Sequence, residues 1–150
     1  MTSLNRLLAL TAFLAPAFAQ GTAGTKVTLS VHLVMPCSGA ATVKVQTAGG
    51  TQCLDPTPFL TQQDVESAEL QKNSKGNPII FLTFHNDAAM RELRITRKNI
   101  GNPVAIVLNG RVVSAPVVAA ASRFLYLAAD FKPDQAATLA SALNRQAGNR

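Results

Sequence analysis

The sequence predicts an α+β protein: an antiparallel sheet of β-hairpins with two helices packed on one face, plus a small N-terminal β appendage. Three observations carry this. Asn109-Gly110 stands between two apolar runs, 104–108 and 111–115, and Asn-Gly in that setting signals a type I′ hairpin, whose turn needs positive φ at both central positions. Val27, Leu29, Val31 and Leu33 alternate with Thr28, Ser30 and His32, the period-two pattern of a half-buried strand. Two further stretches carry helix punctuation: 86–100, followed by Gly101 and Pro103, and 133–146, opened by Pro133. With 150 residues, 47% of them hydrophobic and 15% charged, the chain has the size of one domain. It is too apolar to be disordered and lacks the long apolar runs of a polytopic membrane protein.

The first segment reads as a signal peptide over 1–19. Arg6 supplies the positive start, the run from Leu7 to Ala15 is broken only by Thr11, and Ala17-Phe18-Ala19 is a small-x-small cleavage site before Gln20. From Leu7 to Ala19 the run is thirteen residues, too short for a spanning helix of about 20. The expected mature chain therefore has no transmembrane segment and is exported, to the periplasm or outside the cell. Without Arg6 it keeps 13 basic and 8 acidic side chains. That excess serves solubility and also permits attraction to an anionic surface; export makes nucleic acid an unsuitable partner.

Residues 20–60 form the β appendage and connector. After the strand at 27–33, a turn at 36–40 leads to a second alternating stretch, 42–46. Ala48 to Thr51 breaks the chain, and 52–60, with two prolines, reads as an extended connector. Cys37 and Cys53 are sixteen positions apart in an oxidising compartment, which favours a structural disulfide. The competing reading, a reactive thiol, calls for a C-x-x-C pair or a His/Asn setting.

Residues 61–150 form the second unit. Thr61 is a plausible N-cap for a turn at 61–64. From 66 to 72 helix propensity competes with hairpin logic; the strand is favoured, because 78–84 (PIIFLTF) is a strand and the intervening loop is short. Asn86 then caps a helix reaching about Ile100, with Ala89, Leu93, Thr96 and Ile100 as its inner stripe. Arg91, Arg94 and Lys98, with Arg97 at the edge, fall on one outer face. The plain reading is a solvated face with cations near the negative helix end; the functional one is an anion-contacting patch. In the Asn109-Gly110 hairpin, Val107 is expected opposite Val112 and Ile106 opposite Val113. A short strand at 124–128 and Asp130 precede the last helix, whose buried stripe is Ala136, Leu139, Ala140 and Leu143.

Nothing here reads as an active site. His32 and His85 lack metal-ligand spacing, Ser114 lacks the flanking glycines of a nucleophile elbow, and Asp55, Asp64, Asp130 and Asp134 stand at turns and caps. No catalytic residue, metal site or cofactor is expected.

The stretch 96–117 (TRKNIGNPVAIVLNGRVVSAPV) resembles the head subdomain of the first periplasmic domain of SecD/SecDF, a protein-export subunit. That family shows a Thr-basic helix end closing on Val/Ile-Gly, an apolar strand, an Asp/Asn-Gly turn and a return strand ending Ser-Ala-Pro. The segment from Asp130 to Ala140 is similar to its closing strand and alanine-rich helix, so the resemblance spans about 60–150 and makes 61–150 a SecDF head-like domain. It departs from the family at Glu92, where a bulky apolar residue is usual, and at Ser122-Arg123, where Gly-Gly is usual. The resemblance implies an exported, non-enzymatic binding module that contacts a protein or peptide partner in protein export or envelope biogenesis. The family's motor action needs membrane helices and a proton path, so only the head module carries over. Two other roles stay open: a binder of anionic envelope polymer or membrane surface through the basic helix face, and a structural accessory domain. The sequence leaves the oligomeric state open.

Overall fold

The computed structural model of the chain describes residues 26–39 and 41–149; the expected leader, 1–19, lies outside them. Nine strands, two helices and one 3-10 turn follow in the order β1 (Leu29–Met35), β2 (Val43–Thr47), β3 (Gly50–Leu54), β4 (Leu60–Thr61), the turn Gln62–Asp64, β5 (Val65–Lys72), β6 (Pro78–Phe84), α1 (Asn86–Lys98), β7 (Val104–Leu108), β8 (Arg111–Ser114), β9 (Phe124–Leu127) and α2 (Pro133–Ala147). They form two antiparallel sheets, one ordered β2-β3-β1-β7-β8 with β4 also on β1, the other β5-β6-β9. The α+β class, the antiparallel sheets and the two helices are as the sequence predicts.

The N-terminal β segment is woven into the main sheet. β1 pairs with β7 over five residues, Leu29 with Leu108 through Leu33 with Val104. Leu29 and Val31 are fully buried in the common core with Leu60, Val65, Ile80, Leu82, Ile106, Leu127 and Leu143. The β2–β3 hairpin joins the same sheet at the end of β1, where Val34 pairs with Leu54 and Met35 with Cys53. Its second strand, Gly50–Leu54, replaces part of the connector expected over 52–60; the Ala48–Gly49 break is the tight turn between two paired strands rather than the end of the β segment.

The local expectations meet mixed outcomes. Residues 65–72 are a strand, paired with β6 and bulged between Val65 and Ser67. Thr61 caps the 3-10 turn: its hydroxyl accepts from the Gln63 N–H and the Asp64 carboxylate accepts from the Thr61 N–H. α1 ends at Lys98 rather than Ile100, and its N-cap is His85, with Asn86 already inside the first turn. Its inner stripe is as expected at Thr96 and shifted by one residue before it. Ala88, Glu92 and Thr96 are the buried positions, while Ala89 and Leu93 are half-buried and Ile100 is exposed. The reason is geometric: Ala88, Glu92 and Thr96 follow one another at i, i+4, a single ridge of the helix. Across the Asn109-Gly110 turn, Val107 faces Val112, but a bulge places Ile106 opposite Ser114 instead of Val113. α2 is capped at Lys132, two residues after Asp130, with the Gln135 side chain accepting from the Lys132 N–H. Its buried positions are Ala136, Ala140, Ala142 and Leu143, with Leu139 half-buried beside them.

Candidate functional site

The basic face of α1 is divided. Arg91 is engaged: its Nη2 lies 2.7 Å from Asp64 Oδ1 and its Nε donates to the Phe59 carbonyl at 2.7 Å. It ties α1 to the connector and to the 3-10 turn ahead of β5. Arg94, Arg97 and Lys98 are exposed. Asn109 and Gly110 have φ of 48° and 78°, the turn geometry expected of them. The Asn109 main-chain N–H donates to the Thr28 carbonyl and its side-chain oxygen accepts from the Thr28 N–H, so the turn also clamps the N-terminal strand. Cys37 and Cys53 are disulfide-bonded with Cα atoms 5.1 Å apart. His32 is held on both ring nitrogens, by the Asp55 carbonyl and the Ser30 hydroxyl. Among the described residues, no group of three His, Cys, Asp or Glu side chains is placed to hold a metal ion.

A surface not anticipated from the sequence lies on the outer face of the β5-β6-β9 sheet. β6 buries Ile80, Leu82 and Phe84 and turns Ile79, Phe81 and Thr83 to the other side. β9 pairs with it so that Tyr126 faces Phe81 and Phe124 faces Thr83. Phe81, Phe124 and Tyr126 form a three-ring cluster with centroids 5.1–5.5 Å apart, in the tilted and edge-on arrangements aromatic rings prefer. Phe124 is 42% and Tyr126 47% exposed. The signal was present in the alternation of β9, where Phe124 and Tyr126 share one phase and Leu125 and Leu127 the other.

The edges of this sheet differ. At β5, the Asn144 side chain from α2 bonds both the N–H and the carbonyl of Ala68, closing that edge. At β9, no strand among the described residues pairs with the outer edge, although the Ser122 hydroxyl engages both the N–H and the carbonyl of Phe124 at its start. An open edge is a ready template for another extended chain.

Between β9, the segment 116–122 and α1 lies a cavity of about 310 Å³ with Phe59, Val104, Val118 and Leu125 among its walls and Glu92 and Thr96 on its α1 side. Glu92 is 2% exposed and its Oε2 has no hydrogen-bond partner among the described residues. Burial raises its pKa to about 8, so at neutral pH the carboxyl is mostly protonated. A wider trough of about 680 Å³, between α2 and the β7–β8 turn, is lined by Leu108, Val113 and Leu139 with Arg111 and Arg145 at its rim.

Residues 40–147 match the family described as SecDF, P1 head subdomain. A segment of 61 residues, 41% of this chain, is 43% identical to the protein translocase subunit SecDF of Thermus thermophilus, and spans 8% of that relative's length. The fold is similar to that of a SecDF described as a membrane component that enhances protein export, with TM-score 0.63 and 24% identity over 81% of this chain and 63% of that one. It is similar too to SecDF in a super-membrane-facing form, with TM-score 0.64 and 26% identity over 81% of this chain and 19% of that one.

Proposed function

The chain belongs to the SecDF P1 head subdomain family, and from that premise we propose that it is an exported, non-enzymatic module that holds extended polypeptide on the open edge of β9 during protein export. The observation that carries this is a strand edge that no other strand covers, beside the Phe81–Phe124–Tyr126 cluster. Main-chain hydrogen bonds to an edge strand do not depend on side-chain identity, and aromatic faces give apolar contact without reading sequence. Both suit a partner whose sequence varies. The Cys37–Cys53 bond fits an oxidising compartment. No helix among the described residues is long and apolar enough to cross a membrane, and the reading is confined to the head module.

A four-residue edge buries little area, so the affinity expected is weak, in the micromolar to millimolar range of transient contacts. The test is chemical-shift mapping with an unfolded, uncharged polypeptide. Shifts concentrated on 124–127 and 79–83, and at least a tenfold loss in a Phe124→Ser/Tyr126→Ser double variant, support the reading. Salt-sensitive shifts confined to Arg94, Arg97 and Lys98, with β9 unmoved, would replace it by the anionic-surface role.

A further inference from the structure

We propose that the cavity beside β9 is a subsite for a basic side chain: the guanidinium of Arg or the ammonium of Lys, carried by an extended polypeptide on β9, enters it to meet the Glu92 carboxylate. The proposal rests on the polypeptide reading for its occupant, though not for the chemistry of the cavity.

Glu92 occupies the inner ridge of α1 between Ala88 and Thr96, where the core calls for an apolar residue. Its neighbours do not satisfy it. The Thr96 hydroxyl donates to the main-chain carbonyl of Glu92 at 2.8 Å and accepts from the Ser122 N–H at 2.9 Å, so it is used in pinning the 116–122 segment to α1. The Glu92 Oε2 is thus buried with no hydrogen-bond partner among the described residues, in a side chain that belongs to the cavity lining. No Lys, Arg, His or Asp lines the cavity, and the one other titratable side chain there is Tyr126. A buried carboxyl without a partner is costly, and its natural complement is a cationic donor.

Size and position narrow the occupant. At about 310 Å³ the space is at the lower end of small-molecule sites, suited to one side chain. Its walls are apolar, which suits the methylene stem of Lys or Arg. Phe124 and Tyr126 belong both to its lining and to the ring cluster, and aromatic faces attract cations. A chain added along β9 would carry a side chain past this opening. Binding would expel one proton. Glu92 is mostly protonated below about pH 8 and the cation requires the ionised form, so affinity rises as pH approaches that value.

The test uses n-butylguanidinium, with n-butylurea as the neutral analogue, titrated into the protein and followed at the Glu92, Thr96 and Leu125 resonances. Support is binding of the guanidinium but not the urea, strengthening about tenfold per pH unit from 6 toward 8, and lost at least tenfold with its pH dependence in Glu92→Gln. Glu92→Met, which restores an apolar residue, serves if the Gln variant does not fold. A second arm compares extended heptapeptides with a central Arg or a central Met; the Arg peptide should bind at least tenfold tighter to the parent and equally to the Glu92 variants. Peptide binding with no Arg preference and no guanidinium binding overturns the subsite and leaves the polypeptide reading standing. Guanidinium binding with neither peptide bound overturns the polypeptide as occupant.

Discussion

The Asn144 side chain pairs with the main chain of Ala68 at both ends: its oxygen accepts from the Ala68 N–H at 2.8 Å and its amide nitrogen donates to the Ala68 carbonyl at 2.7 Å. A helix thereby supplies the hydrogen bonds a further strand would make. It fixes α2 on β5; at the other edge, the Ser122 hydroxyl engages Phe124 and no strand among the described residues covers the rest of β9. Asn144→Ala removes both bonds and should destabilise the protein by about 1–3 kcal/mol, since main-chain groups are left unpaired. Asn144→Asp keeps the acceptor but sets a carboxylate oxygen against the Ala68 carbonyl, and should be no better than Ala. Urea denaturation midpoints decide this; a parent-like Asp variant would mean the donor end contributes nothing.

Arg91 should separate from the other cations of α1. Arg91→Gln loses the bonds to Asp64 and Phe59; because Arg91 is partly exposed, the loss should be about 1 kcal/mol. Arg94, Arg97 and Lys98 are all exposed, and changing the three to Gln together should shift stability by less than about 0.5 kcal/mol. Thermal melts of both variants side by side test the division.

The hairpin made by Asn109 and Gly110 was legible because its signal is local: two residues dictate the turn, and the flanking apolar runs dictate the strands. The pairing of β1 with β7 was not. Leu29 meets Leu108 across most of the chain, and an alternating strand does not announce its partner. Glu92 explains another miss. A charged residue does not mark a buried ridge in the apolar pattern, so the expected stripe ran Ala89-Leu93-Thr96-Ile100, whereas the buried one is Ala88-Glu92-Thr96. The aromatic cluster escaped because it needs the β6–β9 register, which brings Phe81 and Tyr126 together across more than forty residues.

Gly110→Val should cost more than the roughly 1 kcal/mol of an ordinary substitution. An added Cβ at Gly110 meets nothing within 4 Å, yet φ there is +78°. The penalty is therefore one of backbone conformation, severe for a β-branched residue. Gly110→Asn, which tolerates that region, should lose less. Equal losses in the two variants would point to something other than φ.

Reducing the Cys37–Cys53 bond should loosen the β2–β3 hairpin selectively. In the chain-entropy model a loop of this size is worth about 3 kcal/mol. β1 remains held by β7, so amide exchange should quicken over 43–54 while 29–33 and 104–108 stay protected. Loss of protection throughout the chain on reduction would show that the hairpin and the core unfold as one.

Stability should fall as pH rises from about 5 to 8, and Glu92 is the reason. Its folded pKa is about 8, whereas in the unfolded chain a glutamate titrates near 4.3. Below that lower value both states hold the proton and the group contributes no slope. Between the two values the folded protein keeps a proton that the unfolded chain has released, so each pH unit removes about 1.4 kcal/mol of stability. Above about 8 both are ionised and the slope vanishes. The full window thus amounts to a few kcal/mol, a large share of a small domain's stability. Glu92→Gln cannot ionise and should abolish most of the decline, so the stability difference between variant and parent should shift in the variant's favour by a few kcal/mol from pH 5 to pH 8. Urea midpoints of both proteins at pH 5 and pH 8 supply the comparison. Equal midpoints for the parent at the two pH values would mean that the carboxyl reaches water in the folded state, and the inward placement of Glu92, with the subsite built on it, would fall together.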